Sequence, residues 1–552
     1  MDHPSIRATK GGRSWTRREL LGQLGKGIAA AAFARPVLWE PSRSFIQPSP
    51  HRKPNIILIL ADDMGYADFG LQGCADIPTP HIDSLGINGV RLTNGYISCP
   101  ICAPTRAGLM SGRYQQRFGF ETNPGPEAYA DEKFGLPRSE ITLAERLKSV
   151  GYVTGMVGKW HLGYKPELQP TGRGFDEFFG FLSGASDYLP DKRRGASRNP
   201  ILRNSREVQE REYLTDAFGR EAVAFIERHH DTPFFLYLAF NAVHAPLEAS
   251  EKYVQRFAGI KDSRRRTFAA MLSAMDDNIG RVLEALHRQE LDERTLIFFL
   301  SDNGGPTPQT TASNAPLRGT KGQVLEGGIR VPFLVQWKVH LPGGKVDHRP
   351  VIQLDIVPTV LAAAETGAPP SAGVSPESTA SPAFDGVNLL PFLNGEKSGP
   401  PHDTLYWRFN DQQAIRRGDW KLVRTRPDPK PRLYNLANDI GEATDLADKE
   451  PAKAKELNNI WSEWNAQLMD PQWQRQDGRT RGPAKAAERE TRPGAGLEER
   501  FRQYDKNGDG KLTPEEFPRA STFKQIDKNN DGVVTLDEAK KFFRSRRGRD
   551  KK

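Results

Sequence analysis

Short apolar runs alternate with segments of helical period through the first two thirds of the chain. Four of these runs are found at 55–60, 152–157, 234–240 and 296–300. The segments between them place apolar residues at helical spacing and predict helices over 142–150, 215–230 and 265–287. Strands that are apolar along their whole length are typical of a parallel sheet covered on both faces by helices. The pattern therefore predicts an α/β fold with a doubly wound, mostly parallel sheet.

Polar residues follow each of these four strands directly. The clusters are Asp62-Asp63, Gly158-Lys159-Trp160-His161, Asn241-Ala242-Val243-His244 and Ser301-Asp302-Asn303-Gly304. Any one of them, taken alone, reads as a turn or a helix cap. Ligands of open parallel sheets bind beyond the carboxyl ends of the strands, so four clusters in the same topological position predict one shared functional site.

A cysteine motif resembles the signature of a known enzyme family. Cys102-Ala103-Pro104-Thr105-Arg106, followed by Ser111-Gly112-Arg113, is similar to the C-x-P-S/T-R motif of the sulfatases, in which the cysteine is oxidised to formylglycine. The other landmarks of that family follow in order: Asp62-Asp63, Gly158-Lys159-Trp160-His161-Leu162-Gly163, His244-Ala245-Pro246, Ser301-Asp302-Asn303-Gly304, Leu317-Arg318-Gly319-Thr320-Lys321, and Leu433-Tyr434-Asn435-Leu436 with Asp439 and Leu446. The resemblance extends over residues 53–470.

The resemblance implies that Cys102 becomes a formylglycine hydrate. One hydroxyl of the hydrate attacks sulfur, and the second loses a proton and expels sulfate as the aldehyde reforms, which divides the reaction into two easier steps. The expected substrate is a sulfate ester, most plausibly of a carbohydrate. A formylglycine-generating enzyme is then a necessary partner.

The same resemblance gives roles to five cationic or donor side chains. Arg106 and His161 would hold the hydrate. Lys159 and Lys321 would bind sulfate oxygens. His244, with Lys321 as a second candidate, would protonate the leaving alkoxide.

Oxygen ligands in the clusters predict a metal ion in the same site. Asp62, Asp63, Asp302 and Asn303 supply hard oxygen ligands that suit Ca²⁺ or Mg²⁺ rather than zinc, and the modified Cys102 would complete the set. Without a cation, the three carboxylates would repel one another and an anionic substrate. A hard metal among convergent cations indicates transfer of a sulfuryl or phosphoryl group.

Two loops near the C-terminus match the EF-hand pattern. The ligand positions of the first loop are Asp505, Asn507, Asp509, Lys511, Thr513 and Glu516, and those of the second are Asp527, Asn529, Asp531, Val533, Thr535 and Glu538. Ten residues, including Pro518, separate the loops, which is too few for two complete helices. We predict one shared, shortened helix and a calcium-stabilised appendage, with a structural or a docking role left open.

The formal net charge of +9 is concentrated at the two ends of the chain. Residues 1–53 sum to +7 and residues 540–552 to +7, so that the body between them sums to −5. A mildly acidic body weakens the nucleic-acid interpretation that the total charge invites, and we expect no nucleic-acid partner. The basic tail would be solvated, with binding of polyanions as the alternative.

The N-terminal segment predicts export. Basic residues precede Thr16-Arg17-Arg18-Glu19-Leu20-Leu21, and a weakly apolar stretch then ends at Ala32-Phe33-Ala34. This order of charge, apolar stretch and small-residue cleavage site is that of a signal peptide with a twin-arginine pair. Leu20 and Gly22 depart from the usual twin-arginine pattern, so the general secretory route stays open. The expected partner is the export machinery, and the expected location is the periplasm or exterior of a bacterium.

Shifts in composition divide the chain into segments. We predict a signal peptide over 1–34, a catalytic domain over 53–400, an antiparallel α+β C-terminal subdomain over 401–473, a linker over 474–496, an EF-hand pair over 497–543 and a basic tail over 544–552. A loop is predicted over 367–382, which is rich in Pro, Ser and Ala. The sequence has no run of 18 uncharged apolar residues, so no transmembrane segment is predicted.

Three alternatives remain at this stage. One is a phosphomonoesterase or phosphodiesterase of the related alkaline phosphatase superfamily, against which the complete Cys102 motif argues. Another is a non-catalytic calcium-binding surface protein, which leaves the strand-end clusters unexplained. The third concerns Cys74 and Cys99, which we interpret as structural, with a pairing between them left open because spacing does not decide it.

Overall fold

The computed structural model of the 552-residue chain describes most of the predicted catalytic body and parts of the C-terminal region. The described residues are 53–125, 133–192, 199–366, 383–426, 429–476, 479–481, 501, 504–505, 507–516, 523 and 526–547. The predicted signal peptide and the predicted loop over 367–382 lie outside these ranges. Among the described helices, none is long and apolar enough to cross a membrane.

The described part of the catalytic domain contains a 10-stranded sheet and a 2-stranded sheet. The strands are β1 (Asn55–Ala61), β2 (Val90–Leu92), β3 (Gly95–Tyr96), β4 (Val153–Lys159), β5 (Glu177–Phe181), β6 (Ile201–Arg203), β7 (Arg206–Val208), β8 (Phe234–Ala239), β9 (Thr295–Ser301), β10 (Phe333–Gln336), β11 (Lys345–Asp347) and β12 (Val351–Ile352). The order of the large sheet is β11-β2-β10-β9-β1-β8-β4-β5-β6-β7. Its central strands β9, β1, β8, β4 and β5 are parallel, whereas β10, β6 and β7 join antiparallel to their neighbours. The predicted mostly parallel sheet is confirmed.

Helices cover both faces of this sheet. They are α1 (Pro80–Ile87), α2 (Cys102–Ser111), α3 (Leu143–Ser149), α4 (Leu214–Arg228), α5 (Glu251–Val254), α6 (Ser263–Arg288), α7 (Glu326–Ile329), α8 (Ile356–Thr366) and α9 (Leu390–Leu393). In β1, Ile56 and Leu58 belong to the core that α2, α3 and α8 cover, whereas Ile57 and Ile59 belong to the core under α1, α4 and α6. Burial on both sides explains why these strands are apolar without alternation.

The four predicted strands and three predicted helices of the catalytic domain begin and end within two residues of the observed bounds. For α3, the Thr142 side chain accepts a hydrogen bond from the Glu145 amide (3.1 Å), and the Glu145 carboxylate accepts one from the Thr142 amide (2.6 Å). This capping box satisfies two amides that the first turn leaves without partners. The helix ends at Ser149, just before Gly151, which has a φ of 89° that favours glycine.

The C-terminal subdomain is a 4-stranded antiparallel sheet with one long helix. Its elements are β13 (Thr404–Phe409), β14 (Gln412–Arg417), β15 (Trp420–Arg424), β16 (Arg432–Asn435) and α10 (Pro451–Asn465), as predicted. The buried Trp407 joins it to the catalytic domain, because its indole N–H donates to the Ile97 carbonyl over 2.7 Å.

The structure describes two short strands at the start of the predicted linker over 474–496. Strands β17 (Gln474–Gln476) and β18 (Arg479–Arg481) pair antiparallel there. Backbone pairing needs no apolar side chains, so a composition rich in Arg and Gly did not reveal it. Residues 482–496 lie outside the described ranges.

The region of the two predicted EF-hand loops has a small core of its own, in which Phe501, Leu512, Phe523 and Val534 are buried. Strands β19 (Lys511–Leu512) and β20 (Val534–Thr535) pair antiparallel and join the two loops. Helix α11 (Leu536–Arg547) follows. The helix extends into the predicted basic tail, and the predicted shared helix lies mostly outside the described residues.

Candidate active site

Backbone hydrogen bonds bring the carboxyl ends of β1, β8 and β9 together. The Asp62 amide donates to the Ala242 carbonyl (3.0 Å), the Val243 amide donates to the Asp62 carbonyl (2.8 Å), and the Asp302 amide donates to the Ala61 carbonyl (3.1 Å). Asp63 has a φ of 65°, in the left-handed region. The predicted convergence of strand-end clusters is found.

Cys102 is the first residue of α2 and is buried against these strand ends. Its Sγ lies 3.6 Å from Asp62 Oδ1 and 3.3 Å from Lys321 Nζ. Burial raises the pKa of the Cys102 thiol to about 12, and the nearby Lys159 and Lys321 do not offset the cost of desolvation. An unmodified thiol at this position is therefore a poor thiolate nucleophile near neutral pH.

The cysteines are all free thiols in the described part of the chain. Cys99 is buried, and Cys74 lies partly exposed with its Sγ 3.5 Å from Asp76 Oδ1. The structure contains no Cys74–Cys99 disulfide among the described residues.

Four side chains could hold a metal ion at the centre of the site. Ligand atoms of Asp62, Asp63, Cys102 and His244 all lie within 4.8 Å of one another. Asn303 adds a buried Oδ1 that has no hydrogen-bond partner among the described residues, and its Nδ2 donates to Asp63 Oδ1 over 2.6 Å. An unpaired buried oxygen beside two carboxylates fits a hard divalent cation.

Asp302 lies beside this cluster and is held from two sides. Its Oδ2 accepts hydrogen bonds from Arg106 Nε (3.0 Å) and from a terminal guanidinium nitrogen of the same residue (2.8 Å). Its Oδ1 accepts one from the Asp63 amide (3.3 Å). Another guanidinium nitrogen of Arg106 donates to the Lys159 carbonyl (2.8 Å), so this side chain fixes Asp302 and the end of β4.

Two lysines neutralise the paired aspartates. Lys159 Nζ lies 2.5 Å from Asp62 Oδ2, with both side chains fully buried, and Lys321 Nζ lies 2.5 Å from Asp63 Oδ1. Burial alone would raise the pKa of each aspartate. Lys159 and His244 at Asp62, and Lys321 and His244 at Asp63, outweigh burial, so that both pKa values are lowered. Both carboxylates are therefore ionised and available to a cation.

The two histidines differ in how they are held. His161 has a φ of 63° and is buried, and neither of its ring nitrogens has a hydrogen-bond partner among the described residues. Burial, together with the charge of Lys159, places its pKa well below the usual range, so the ring is neutral. His244 is partly exposed, with Nδ1 2.5 Å from the Ala245 carbonyl and Nε2 3.6 Å from Asp63 Oδ2.

Sequence reasoning placed Ser301 in a strand-end cluster without a role of its own and missed Asp68, and both residues shape the site. Ser301 Oγ accepts a hydrogen bond from the Met64 amide (3.0 Å) and donates one to the Asn303 carbonyl (2.9 Å). Asp68 accepts hydrogen bonds from the Gly65 and Ser313 amides at 2.8 and 2.9 Å and so joins two loops at the site. The position of Ser301 at the end of an apolar strand is a usable signal, whereas nothing in the sequence distinguishes Asp68.

Comparison with known proteins identifies the family. A family model described as Sulfatase matches residues 54–366, which is more than half of the chain. The chain belongs to the sulfatase family. A second model, described as EF hand, matches residues 497–520 and 519–543. The predicted family, the fold class and the EF-hand pair are confirmed.

Named relatives of this sulfatase agree with the family. N-acetylgalactosamine-6-sulfatase of Homo sapiens is 36% identical over 392 residues, which cover 67% of this chain and 71% of that protein. Arylsulfatase A of Homo sapiens is 33% identical over 448 residues, covering 72% and 83%. The crystal structure of Ps i-CgsB in complex with k-i-k-neocarrahexaose is similar with a TM-score of 0.71 and 36% identity, covering 77% of this chain and 96% of that one. The sulfatase is a sulfuric ester hydrolase, as predicted, rather than a phosphatase or a non-catalytic calcium-binding protein.

Proposed function

We propose that this sulfatase hydrolyses a sulfate ester of a carbohydrate by means of a formylglycine derived from Cys102. The observation that carries the proposal is the position of Cys102, which is buried at the start of α2 with its Sγ near Lys321 and near Asp62, a predicted metal ligand. The relatives support a carbohydrate, because one is named N-acetylgalactosamine-6-sulfatase and another was solved with k-i-k-neocarrahexaose.

A divalent cation, Ca²⁺ or Mg²⁺, fits the oxygen-rich cluster. Asp62, Asp63, Asp302, Asn303 and the modified residue 102 would hold it. When bound, such an ion polarises sulfate oxygens and stabilises the charge that develops on them. Arg106 contributes by fixing Asp302, to which it donates two hydrogen bonds.

Conversion of Cys102 to formylglycine hydrate would supply a hydroxyl nucleophile without a thiolate. Lys321 Nζ faces this position at 3.3 Å and would hold a sulfate oxygen next to it. Lys159 would keep Asp62 ionised and supply further positive charge. His161, with two buried ring nitrogens free of partners among the described residues, would hydrogen-bond the hydrate or the substrate.

His244 would act as the general acid that protonates the leaving alkoxide. It is the partly exposed histidine of the site, and its Nε2 lies 3.6 Å from Asp63 Oδ2. A positioned general acid of this kind typically accelerates a reaction by about 10²–10⁴-fold.

The two ends of the chain complete the proposal. The twin-arginine-like segment over 1–34 would export the enzyme to the periplasm or cell exterior.

The two EF-hand loops would each bind Ca²⁺. In the first loop, Asp505 already accepts hydrogen bonds from the Gly508 and Gly510 amides at 2.8 Å, and Glu516 accepts one from the Thr513 amide at 3.0 Å. Such a loop is partly shaped for the ion.

Mass spectrometry of the peptide that contains residue 102 tests the proposal. The full chain is produced with a formylglycine-generating enzyme, and sulfate release from sulfated monosaccharides is measured on the same sample. We expect an aldehyde at residue 102 and sulfate release that Cys102→Ala abolishes. Active enzyme with an unmodified thiol, or a Cys102→Ala variant of unchanged activity, would overturn the mechanism.

A further inference from the structure

The loop that carries Lys321 lies against the C-terminal subdomain. Here the Lys321 loop means residues 317–325, between the strand-end cluster after β9 and helix α7. The backbone of this loop forms hydrogen bonds with a side chain of the subdomain, although the subdomain provides none of the residues assigned to the chemistry.

Gln412 makes two hydrogen bonds to the Lys321 loop. Its Nε2 donates to the Gly322 carbonyl over 2.8 Å, and its Oε1 accepts from the Val324 amide over 3.4 Å. Gln412 is buried, and it begins β14 directly after the hairpin turn at Asn410, where φ is 54°. The Gln412 side chain thus forms hydrogen bonds with the backbone on both sides of Gln323.

Further contacts hold the same loop to the site. The Gly322 amide donates to the Pro100 carbonyl (2.8 Å), two residues before Cys102. Beyond the loop, the Glu326 amide donates to the Glu442 carboxylate (2.8 Å), and the buried Lys421 pairs with both glutamates at 2.8 and 2.9 Å. Gly322 therefore lies between the segment that leads to the nucleophile and a fixed part of the subdomain.

The conformation of Gly322 makes this support necessary. Its φ is 86°, and a Cβ built on it would meet no heavy atom within 4 Å, so no atom packs against Gly322 where a side chain would begin. Glycine has the largest conformational freedom of any residue, and hydrogen bonds must therefore fix the turn. The adjacent lysine reaches Asp63 and Cys102 with its ammonium group, and a shift of its backbone would change how that group meets both partners.

We propose that Gln412 is a positioning residue for Lys321, through which the C-terminal subdomain sets the geometry of the active site. This inference rests on the proposed function, in which Lys321 holds a sulfate oxygen beside residue 102. Gln412 touches neither the substrate nor the reacting atoms, and it acts through the backbone on either side of Gln323.

Kinetics of Gln412→Ala in two backgrounds test the inference. With an aryl sulfate as substrate, we expect Gln412→Ala to lower kcat by about 10- to 100-fold, because a displacement of about 1 Å costs that much. In a Lys321→Ala background the same substitution should change kcat by less than about twofold, because the residue through which it acts is absent. An equal loss in both backgrounds, or no loss in either, would overturn the inference.

Gln413 provides a matched control on the neighbouring position of the same strand. It has the same 6% exposure as Gln412, but its Nε2 lies 3.4 Å from Asn458 Oδ1 rather than on the loop. We expect Gln413→Ala to leave kcat within about twofold of wild type. A kcat loss equal to that of Gln412→Ala would show a general effect of the subdomain and refute a specific role.

Gln412→Glu keeps the acceptor for the Val324 amide and replaces Gln412→Ala in these experiments if the alanine variant does not fold. It should also lower kcat, because it removes the donor to Gly322.

Hydrogen exchange separates this inference from the proposed function. Loss of Gln412 should speed amide exchange in a peptide that spans 320–326, whereas Gln413→Ala should leave it unchanged. If wild-type protein releases no sulfate, the proposed function fails, and the exchange rates still decide whether Gln412 fixes the loop. Unchanged exchange in Gln412→Ala would refute the positioning role.

Discussion

Lys321 Nζ lies 3.3 Å from Cys102 Sγ. The same ammonium group lies 2.5 Å from Asp63 Oδ1, so that one cation joins the nucleophile position to a predicted metal ligand. Burial would lower the pKa of Lys321, but Asp63 and the neighbouring acidic groups outweigh it and raise the pKa well above its usual value. Lys321 is therefore charged throughout the working pH range and can hold an anionic substrate.

Loss of this charge should slow the chemical step. We expect Lys321→Ala to lower kcat by about 10²–10³-fold, the usual cost of removing one preorganised donor at a site of developing charge. Lys338→Ala is the matched control, because Lys338 pairs with Asp292 at 2.8 Å outside the site and should tolerate the change. Steady-state kinetics with an aryl sulfate give both values, and a Lys321→Ala enzyme with wild-type kcat would remove this residue from the mechanism.

The sequence predicted the sheet and its strand-end clusters because both depend on local patterns. Apolar runs such as 55–60 fix buried parallel strands, and parallel topology then carries Asp62 and Asp302 to the same edge. Arg106 and Lys321 were predicted from the order of the family motifs, because hydrophobic periodicity gives no information on which polar residues enter the site.

The partners of those residues could not be read from the sequence. Arg106 donates hydrogen bonds to Asp302, 196 residues later in the sequence, and to the Lys159 carbonyl, 53 residues later. Gln412 contacts a loop 90 residues earlier in the chain. The Arg106 contacts depend on how helix α2 packs against the strand ends, and the Gln412 contact depends on how the subdomain packs against the catalytic domain. A single polar residue gives no local signal of such a distant partner.

The buried Arg106–Asp302 pair should be essential for stability as well as geometry. Both side chains are fully buried, so Arg106→Ala leaves a carboxylate with one fewer compensating cation. We expect the free energy of unfolding to fall by about 3–5 kcal/mol, as for other buried pairs that lose one partner. Denaturant unfolding measures this loss. In the same experiment Arg288→Ala, which breaks half-exposed pairs with Glu227 and Glu284, should cost about 1 kcal/mol or less, and equal losses would contradict the assignment.

Metal removal should distinguish the catalytic site from the EF-hand loops. Chelation by EDTA is expected to abolish sulfate release, and added Ca²⁺ or Mg²⁺ should restore it. The double variant Glu516→Gln and Glu538→Gln removes the carboxylate expected to bind bidentately in each loop. This variant should bind fewer Ca²⁺ ions by calorimetry and keep wild-type kcat. A large loss of kcat at saturating Ca²⁺ would mean that the EF-hand pair supports catalysis and is more than an appendage.

A histidine between the catalytic domain and the subdomain should make stability depend on pH. His402 Nε2 lies 2.7 Å from Asp355 Oδ1, and the Asp355 carboxylate also accepts hydrogen bonds from the Ile352 and Val387 amides, each at 2.8 Å. Burial would lower the pKa of His402, but Asp355 outweighs it, with smaller contributions from Asp385 and Asp403, and the pKa is raised. Folding therefore favours the protonated ring.

The sign of the effect follows from that shift. A histidine whose pKa is higher in the folded than in the unfolded chain contributes stability that is fully present below the unfolded pKa, about 6.5. The contribution is lost as the pH rises through the higher folded pKa. We therefore expect the Tm of wild type to exceed that of His402→Gln. This difference in Tm should be largest near pH 5 and smaller at alkaline pH. His287→Gln is the control, because His287 lies 3.1 Å from Asp292 but is 83% exposed, so its margin should be small at every pH. If the Tm difference between wild type and His402→Gln stays constant or grows with pH, folding does not favour the protonated ring and the assignment is wrong.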